Sequence, residues 1–201
     1  MFKRGLDKKN TFGEEILRIA IDLDGVLADA SKIWIRLLRQ RFEITIKKED
    51  VDEWDIYRKL GISRKEFEDV FNDAWKEWEL VEETEENLFQ KINLIKNLGK
   101  TDLVTARNQK TMNDVMKWLE EKKIKFDNII VVGEFESKAK LDYDIFIDDS
   151  PIQITEMANS GKLSLLYMQP WNTYIKERNN LIKIKNFEEV EKVIKNYMKN
   201  E

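Results

Sequence analysis

The chain contains no cysteine and no histidine. The first absence excludes disulfides, thiol catalysis and cysteine-bound metals. The second removes the usual imidazole base, serine–histidine triads and histidine-held zinc. Acid–base chemistry near neutral pH is left to carboxylates, lysine or tyrosine. Any metal site must be rich in oxygen, which favours Mg²⁺ or a similar hard ion. With 7 glycines and 2 prolines in 201 residues, there is no low-complexity linker and no internal repeat. No apolar run approaches the length that spans a bilayer. The opening stretch MFKRGLDKKNTFGEE is basic but lacks the apolar core of a signal peptide. These absences predict a cytoplasmic protein with no membrane partner. A formal net charge of −4 offers no basic footprint for a nucleic-acid polymer.

What is present reads as a compact, helix-rich globular chain, with 42% hydrophobic and 37% charged residues. Short β-branched runs predict buried parallel strands at 17–23, 101–105, 129–132, 145–147 and 163–167. Helical patterns lie between most of them. Residues 109–123 are amphipathic, with Met112, Val115, Met116 and Leu119 on one side. Ser150-Pro151 is an N-cap followed by proline at the first helical position, and the helix it starts ends near Gly161. A last helix covers 187–198. This alternation predicts an α/β fold, a Rossmann-like parallel sheet flanked by helices with right-handed crossovers. Residues 31–98 break the pattern. They show no convincing strand and several helical stretches, at 31–42, 48–60, 63–78 and 84–98. They predict a small helical cap inserted after strand one. Residues 1–30 and 99–201 then form the core domain. Ligands of such sheets bind at the carboxyl ends of the strands, where a cap can close over them.

Acids stand at those ends. Asp22 and Asp24 close the first strand, and Asp24-Gly25 allows a sharp turn away from it. The fourth strand ends Ile147-Asp148-Asp149-Ser150-Pro151. Parallel neighbours would bring Asp148 close to Asp22. Such carboxylates repel by roughly 1 kcal/mol per pair at 4 Å in water and ~4 kcal/mol at an effective dielectric of 20. A counter-charge is needed, and Mg²⁺ fits oxygen ligands. The second strand ends Thr105-Ala106-Arg107, offering a hydroxyl and backbone N–H groups to an anion. Lys138, in a polar loop ten residues before Asp148, could neutralise that anion; Lys140 is the alternative. Each feature alone has an ordinary explanation as a turn, a cap or a solvated lysine. Four strand-end signals in order, each of the residue type the chemistry requires, point to a site.

These motifs resemble the haloacid dehalogenase superfamily on its phosphatase side: Asp22-Leu23-Asp24-Gly25-Val26-Leu27, Thr105-Ala106-Arg107, Lys138 and Asp148-Asp149. The likeness covers the core on both sides of the insert. Within the superfamily, "DLDGVLAD", "IDDSP" and "QPWN" (169–172) are most similar to the 5'(3')-deoxyribonucleotidase group and its prokaryotic relatives. Thr105-Ala106-Arg107 departs from the Thr-Ser-Pro common in that group, so its substrate contacts there do not carry over. The resemblance implies that Asp22 is the nucleophile of an aspartyl-phosphate and Asp24 its acid/base partner. It implies Mg²⁺ held by Asp22, the Asp24 carbonyl and Asp148, with Asp149 ordering the metal's surroundings. Thr105 and Lys138 would bind the phosphoryl oxygens. The implied substrate is a small phosphorylated metabolite of the nucleoside monophosphate kind. A phosphatase for sugar phosphates or other small metabolites, and a non-catalytic phosphate- or nucleotide-binding protein, are the competing readings; nothing marks a phosphomutase.

Of the six tryptophans, Trp34, Trp54, Trp75 and Trp78 fall in the insert. Bases stack on aromatic faces. However, Phe67, Phe71, Trp75 and Trp78 are spaced like one face of a helix, which favours a role as the cap's own core. Trp34, Arg107, Trp171 and Asn172 are the candidates for substrate contact. The acidic run 82–86 reads as a solvated turn and helix start.

Overall fold

A computed structural model describes residues 16–133 and 136–200. The reading of the opening stretch, and its assignment to the core, fall largely outside the described residues. Six strands form one sheet: β1 (Arg18–Ile21), β4 (Lys100–Thr105), β5 (Ile129–Val131), β6 (Ile145–Asp148), β7 (Leu163–Tyr167) and β8 (Leu181–Ile184). Their spatial order is β5-β4-β1-β6-β7-β8, and every pairing is parallel. The helices are α1 (Ser31–Phe42), α2 (Arg64–Ala74), α3 (Leu88–Lys96), α4 (Met112–Glu121), α5 (Pro151–Asn159) and α6 (Phe187–Asn200). Among the described residues, no helix is long and apolar enough to cross a membrane.

Alternation along the strands builds the core on both sheet faces. Ile19, Ile21, Ile145, Ile147 and Leu165 face one side, against buried residues of α3, α4 and α6. Ala20, Phe146 and Leu166 face the other, against Ile154 and Met157 of α5. Strands covered on both faces need apolar residues at every position, which is why β1, β6 and β7 read as continuous apolar runs. As the sequence predicts, Ser150 caps α5, its hydroxyl accepting from the Gln153 N–H, and Gly161 (φ +85°) lies just beyond the helix end.

The structure differs from the sequence reading at several points. The strand β8 is a sixth, edge strand; its sequence Leu-Ile-Lys-Ile is too short and too mixed to stand out as a buried run. The insert contains a strand after all. β2 (Ala28–Asp29) pairs antiparallel with β3 (Glu82–Glu83), an acidic pair that local propensity disfavours and tertiary contact imposes. No helix spans 48–60. Short 3₁₀ turns occur at Lys48–Asp50 and Ile56–Arg58, and the Asp50 carboxylate accepts from the Lys47 N–H, a local bond that competes with helix. The helix expected over 63–78 stops at Ala74 and continues as a 3₁₀ segment, Trp75–Leu80, kinked at Glu77.

In the insert, α1 packs on α2, and the Trp75–Leu80 segment packs on α4 of the core. The Trp75 and Trp118 rings meet edge to face at 6.0 Å. The Trp118 N–H donates to the Val81 carbonyl at 2.9 Å, tying the end of the Trp75–Leu80 segment to α4. The helix α3 packs against α6 and β4.

Candidate active site

The sheet delivers its acids as the register requires. Ile21 of β1 lies beside Ile147 of β6, and the Asp22 N–H donates to the Ile147 carbonyl at 2.9 Å. The next residues, Asp22 and Asp148, therefore emerge side by side. Asp22, Asp148 and Asp149 each bring a carboxylate oxygen within 4.8 Å of the others. Lys138 stands between two of them. Its ammonium donates to Asp22 Oδ1 at 2.7 Å and to Asp148 Oδ2 at 2.7 Å, and the residue is 2% exposed. Lys140 lies on the exposed side of the same turn. The structure thus brings Lys138, and not Lys140, to the acids.

The electrostatics follow from burial. Burial pushes the Asp22 carboxyl up to about 7; the Lys138 charge opposes this and Asp148 adds to it. Burial, then the charges of Asp22 and Asp148, raise Asp149 well above the usual carboxylate range. Burial disfavours the Lys138 charge, but Asp148 and Asp22 outweigh it and hold the ammonium above its ordinary range. Three carboxylates thus face one ammonium. The excess negative charge and all-oxygen donor set suit a divalent cation.

The acids are held from behind. The Ser150 N–H donates to Asp148 Oδ1 at 2.8 Å. The Trp171 indole donates to Asp149 Oδ2 at 2.9 Å. The backbone at Gly25 has φ +74°, and a Cβ there would lie 2.3 Å from Asp149 Oδ2. Only glycine lets the chain pass so close to that carboxylate. The Gln169 amide donates to the Gly25 carbonyl at 2.6 Å.

Asp24 is oriented differently. Its Oδ1 accepts from Arg107 Nη1 at 2.8 Å and from the Trp75 indole at 2.9 Å. Thr105, at the end of β4, is buried, and its hydroxyl accepts from the Arg107 N–H at 3.2 Å. A cavity of about 1020 Å³ opens over these residues. Asp22, Asp24, Thr105, Lys138, Asp148 and Asp149 line its floor, and α1, α2 and the 48–60 segment contribute to its walls.

Of the substrate candidates, Trp34 lines the cavity from α1, braced edge to face by Phe67 at 5.8 Å. Trp171 and Arg107 line it as well. Asn172 does not. It is fully buried, and its amide donates to the Asp149 and Tyr167 carbonyls at 2.9 and 2.8 Å, so it holds the loop after β7 instead of facing a ligand. Sequence reasoning missed three features. Trp75 belongs to the core of the insert, yet its N–H reaches Asp24. Trp54 lines the cavity and is 38% exposed. Lys48 donates to Asp29 at 2.7 Å and lies 5.8 Å over the Trp171 ring. A lone indole in an apolar stripe, or a lysine in an irregular segment, carries no periodic signal.

Comparison with known proteins gives the kinship of the chain. Residues 15–199 match the family model described as 5' nucleotidase, deoxy (pyrimidine), cytosolic type C protein. The Bacillus subtilis protein YqfW is 25% identical over 180 residues, covering 86% of this chain and 90% of that protein. A 5'(3')-deoxyribonucleotidase of Bacillus subtilis is 25% identical over 177 residues, covering 87% of this chain and 96% of the relative. The solved structure of a haloacid dehalogenase-like hydrolase from Streptococcus pneumoniae superposes with a TM-score of 0.64 at 16% identity, covering 87% of this chain and 96% of the other. That likeness carries the fold; the family match carries the kinship. The chain belongs to the 5' nucleotidase, deoxy (pyrimidine), cytosolic type C family.

Proposed function

We propose that this phosphatase is a Mg²⁺-dependent phosphomonoesterase that works through an aspartyl-phosphate and takes nucleoside monophosphates. The observation that carries the reading is the convergence of Asp22, Asp148, Asp149 and Lys138 at the floor of one large cavity. Asp22, Asp148 and the Asp24 backbone carbonyl would hold the metal, with Asp149 beside them. When bound, Mg²⁺ supplies Lewis-acid polarisation of the phosphoryl oxygens.

The residues divide the work. An Asp22 carboxylate oxygen attacks phosphorus, and the bond from phosphorus to the leaving oxygen breaks. Asp24 gives that oxygen its proton, so an alcohol departs. A water then attacks the aspartyl-phosphate, Asp24 takes back a proton, and phosphate leaves with Asp22 restored. Lys138 and the Thr105 hydroxyl bind phosphoryl oxygens as charge spreads over them. Of the inserted segment, residues 31–98, the part that walls the cavity (α1, α2 and 48–60) serves as the cap, while α3 packs on the sheet with the core. Aromatic residues on the cavity wall, Trp34 and Trp54 from the cap and Trp171 from the core, support a planar substrate group.

The test is Mg²⁺-dependent phosphate release from deoxy- and ribonucleoside monophosphates, sugar phosphates and an aryl phosphate, with Asp22→Asn as control. Preference for nucleotides, lost in Asp22→Asn, is expected. Hydrolysis confined to sugar phosphates would overturn the substrate class and leave the chemistry. A folded Asp22→Asn protein with full activity would overturn the nucleophile.

A further inference from the structure

The Arg107 side chain is 1% exposed, and its nitrogens are committed inside the protein. Nη1 donates to Asp24 Oδ1 at 2.8 Å. Nε donates to the Thr111 hydroxyl at 3.2 Å. Nη2 donates to the Phe71 carbonyl at 3.0 Å, with the Asn72 side-chain oxygen at 3.4 Å. The guanidinium carbon lies 4.8 Å from the centre of the Phe71 ring and 5.1 Å from that of Trp75.

The Phe71 carbonyl belongs to the last turn of α2. In a continuing helix it would accept from the Trp75 N–H, but that N–H turns to the Asn72 and Asp73 carbonyls. Arg107 supplies the missing donor, and a cation at a helix C-terminus also meets the favourable end of its dipole. One side chain from the core thus caps a cap helix and grips Asp24. The second donor to Asp24, Trp75, comes from the residue directly after α2. Both donors land on Oδ1. Among the described residues no donor reaches Oδ2, and the Asp24 side chain is 18% exposed where it lines the cavity.

We propose that Arg107 is a positioning residue, not a substrate contact: it fixes the Asp24 carboxyl with Oδ2 as the proton-carrying oxygen, and ties that placement to the seating of α2. The acid/base group is therefore set only when the cap helix is docked. This rests on the reading of Asp24 as the acid/base partner.

The experiment compares kcat/KM for thymidine 5'-monophosphate and p-nitrophenyl phosphate. The first has an alkoxide leaving group that needs a proton; nitrophenolate leaves with little help. Arg107→Gln is expected to lower kcat/KM at least ~100-fold on the nucleotide, within the range of general acid catalysis, and less than about 5-fold on the aryl ester. Arg107→Lys, which keeps the charge but not the fork, should show the same split. Trp75→Phe should show it at roughly 10-fold, and it reads the same geometry if Arg107→Gln fails to fold. Equal losses on both esters, or a raised KM for the nucleotide with kcat unchanged, would overturn the proposal while leaving the phosphatase reading intact. A parent that cleaves neither ester with Mg²⁺ would overturn the phosphatase reading and this proposal with it.

Discussion

Asp22 and Asp24 leave the same strand end two residues apart, yet different parts of the molecule hold them. Asp22 meets Lys138 and Asp148, both delivered by the core, and its backbone is in register with β6. Asp24 meets Arg107, whose other bonds run to α2, and Trp75, which is part of the insert. The Asp22–Lys138–Asp148 cluster is thus built by strand ends and a core turn, whereas Asp24 is held partly from the insert. Under the roles proposed above, the charge cluster would stay intact whatever the insert does, and proton transfer would depend on where α2 sits. Lateral neighbours in a parallel sheet are fixed by continuous backbone hydrogen bonds. A contact across an insert rests on a few side chains and is easier to lose.

The comparison breaks most visibly at Lys138. Lys138→Ala leaves buried carboxylates facing one another without their ammonium, an expected loss of about 3–5 kcal/mol in stability. Thermal melts with and without Mg²⁺ check it. Addition of Mg²⁺ should recover more in this variant than in the parent, and no recovery would argue against a cation at the acids.

A smaller effect concerns pH. The folded state holds the Asp22 carboxyl up to about 7, above its unfolded value. That group therefore contributes stability at pH below about 4, and the contribution is lost as pH rises through about 7. Metal-free protein should lose stability over that window, and Mg²⁺ should restore it. At a hundred times its Kd the ion adds about 2.7 kcal/mol. The rise in Tm on adding Mg²⁺ should be larger at pH 8 than at pH 5. Equal rises at both would contradict the burial argument.

The cap half is sharpened by Phe71→Leu, which removes the ring beneath Arg107 while keeping an apolar side chain. The expected loss is about 0.5–2 kcal/mol of the cation–π contact. Nucleotide turnover should slow while the Mg²⁺-dependent rise in Tm stays as in the parent. A diminished metal response would mean that the two halves are not separable. Lys140→Ala has the smallest expected effect, within about 0.5 kcal/mol and with unchanged activity, because its side chain lies outside the cluster. Measured activity loss there would displace Lys138 from its role.

Much of the core half was legible in advance. The runs around 19–21 and 145–147 carry apolar residues on both faces, so they read as buried parallel strands. Acids at the ends of adjacent parallel strands must meet. The cap half was not legible in the same way. Arg107 could be seen to lie two residues after Thr105, but its partners Asp24 and Phe71 stand 83 and 36 residues away. Trp75 fits a helical stripe, and nothing in that periodicity tells where its N–H points. The ribbon of β2 and β3 pairs two glutamates with Ala28 and Asp29, against local propensity, and β8 alternates too weakly to be read as a strand.

Sequence alone determined the layered α/β core, the order of its strand-end motifs, and the demand for a counter-charge among the acids. Those follow from hydrophobic period, turn chemistry and Coulomb repulsion, which act between near neighbours or along a register that parallel pairing imposes. Tertiary structure decided which lysine enters the cluster, that Asn172 supports a loop, and that Arg107 joins Asp24 to α2. These are choices among side chains of similar chemistry, and only the distances created by folding distinguish them.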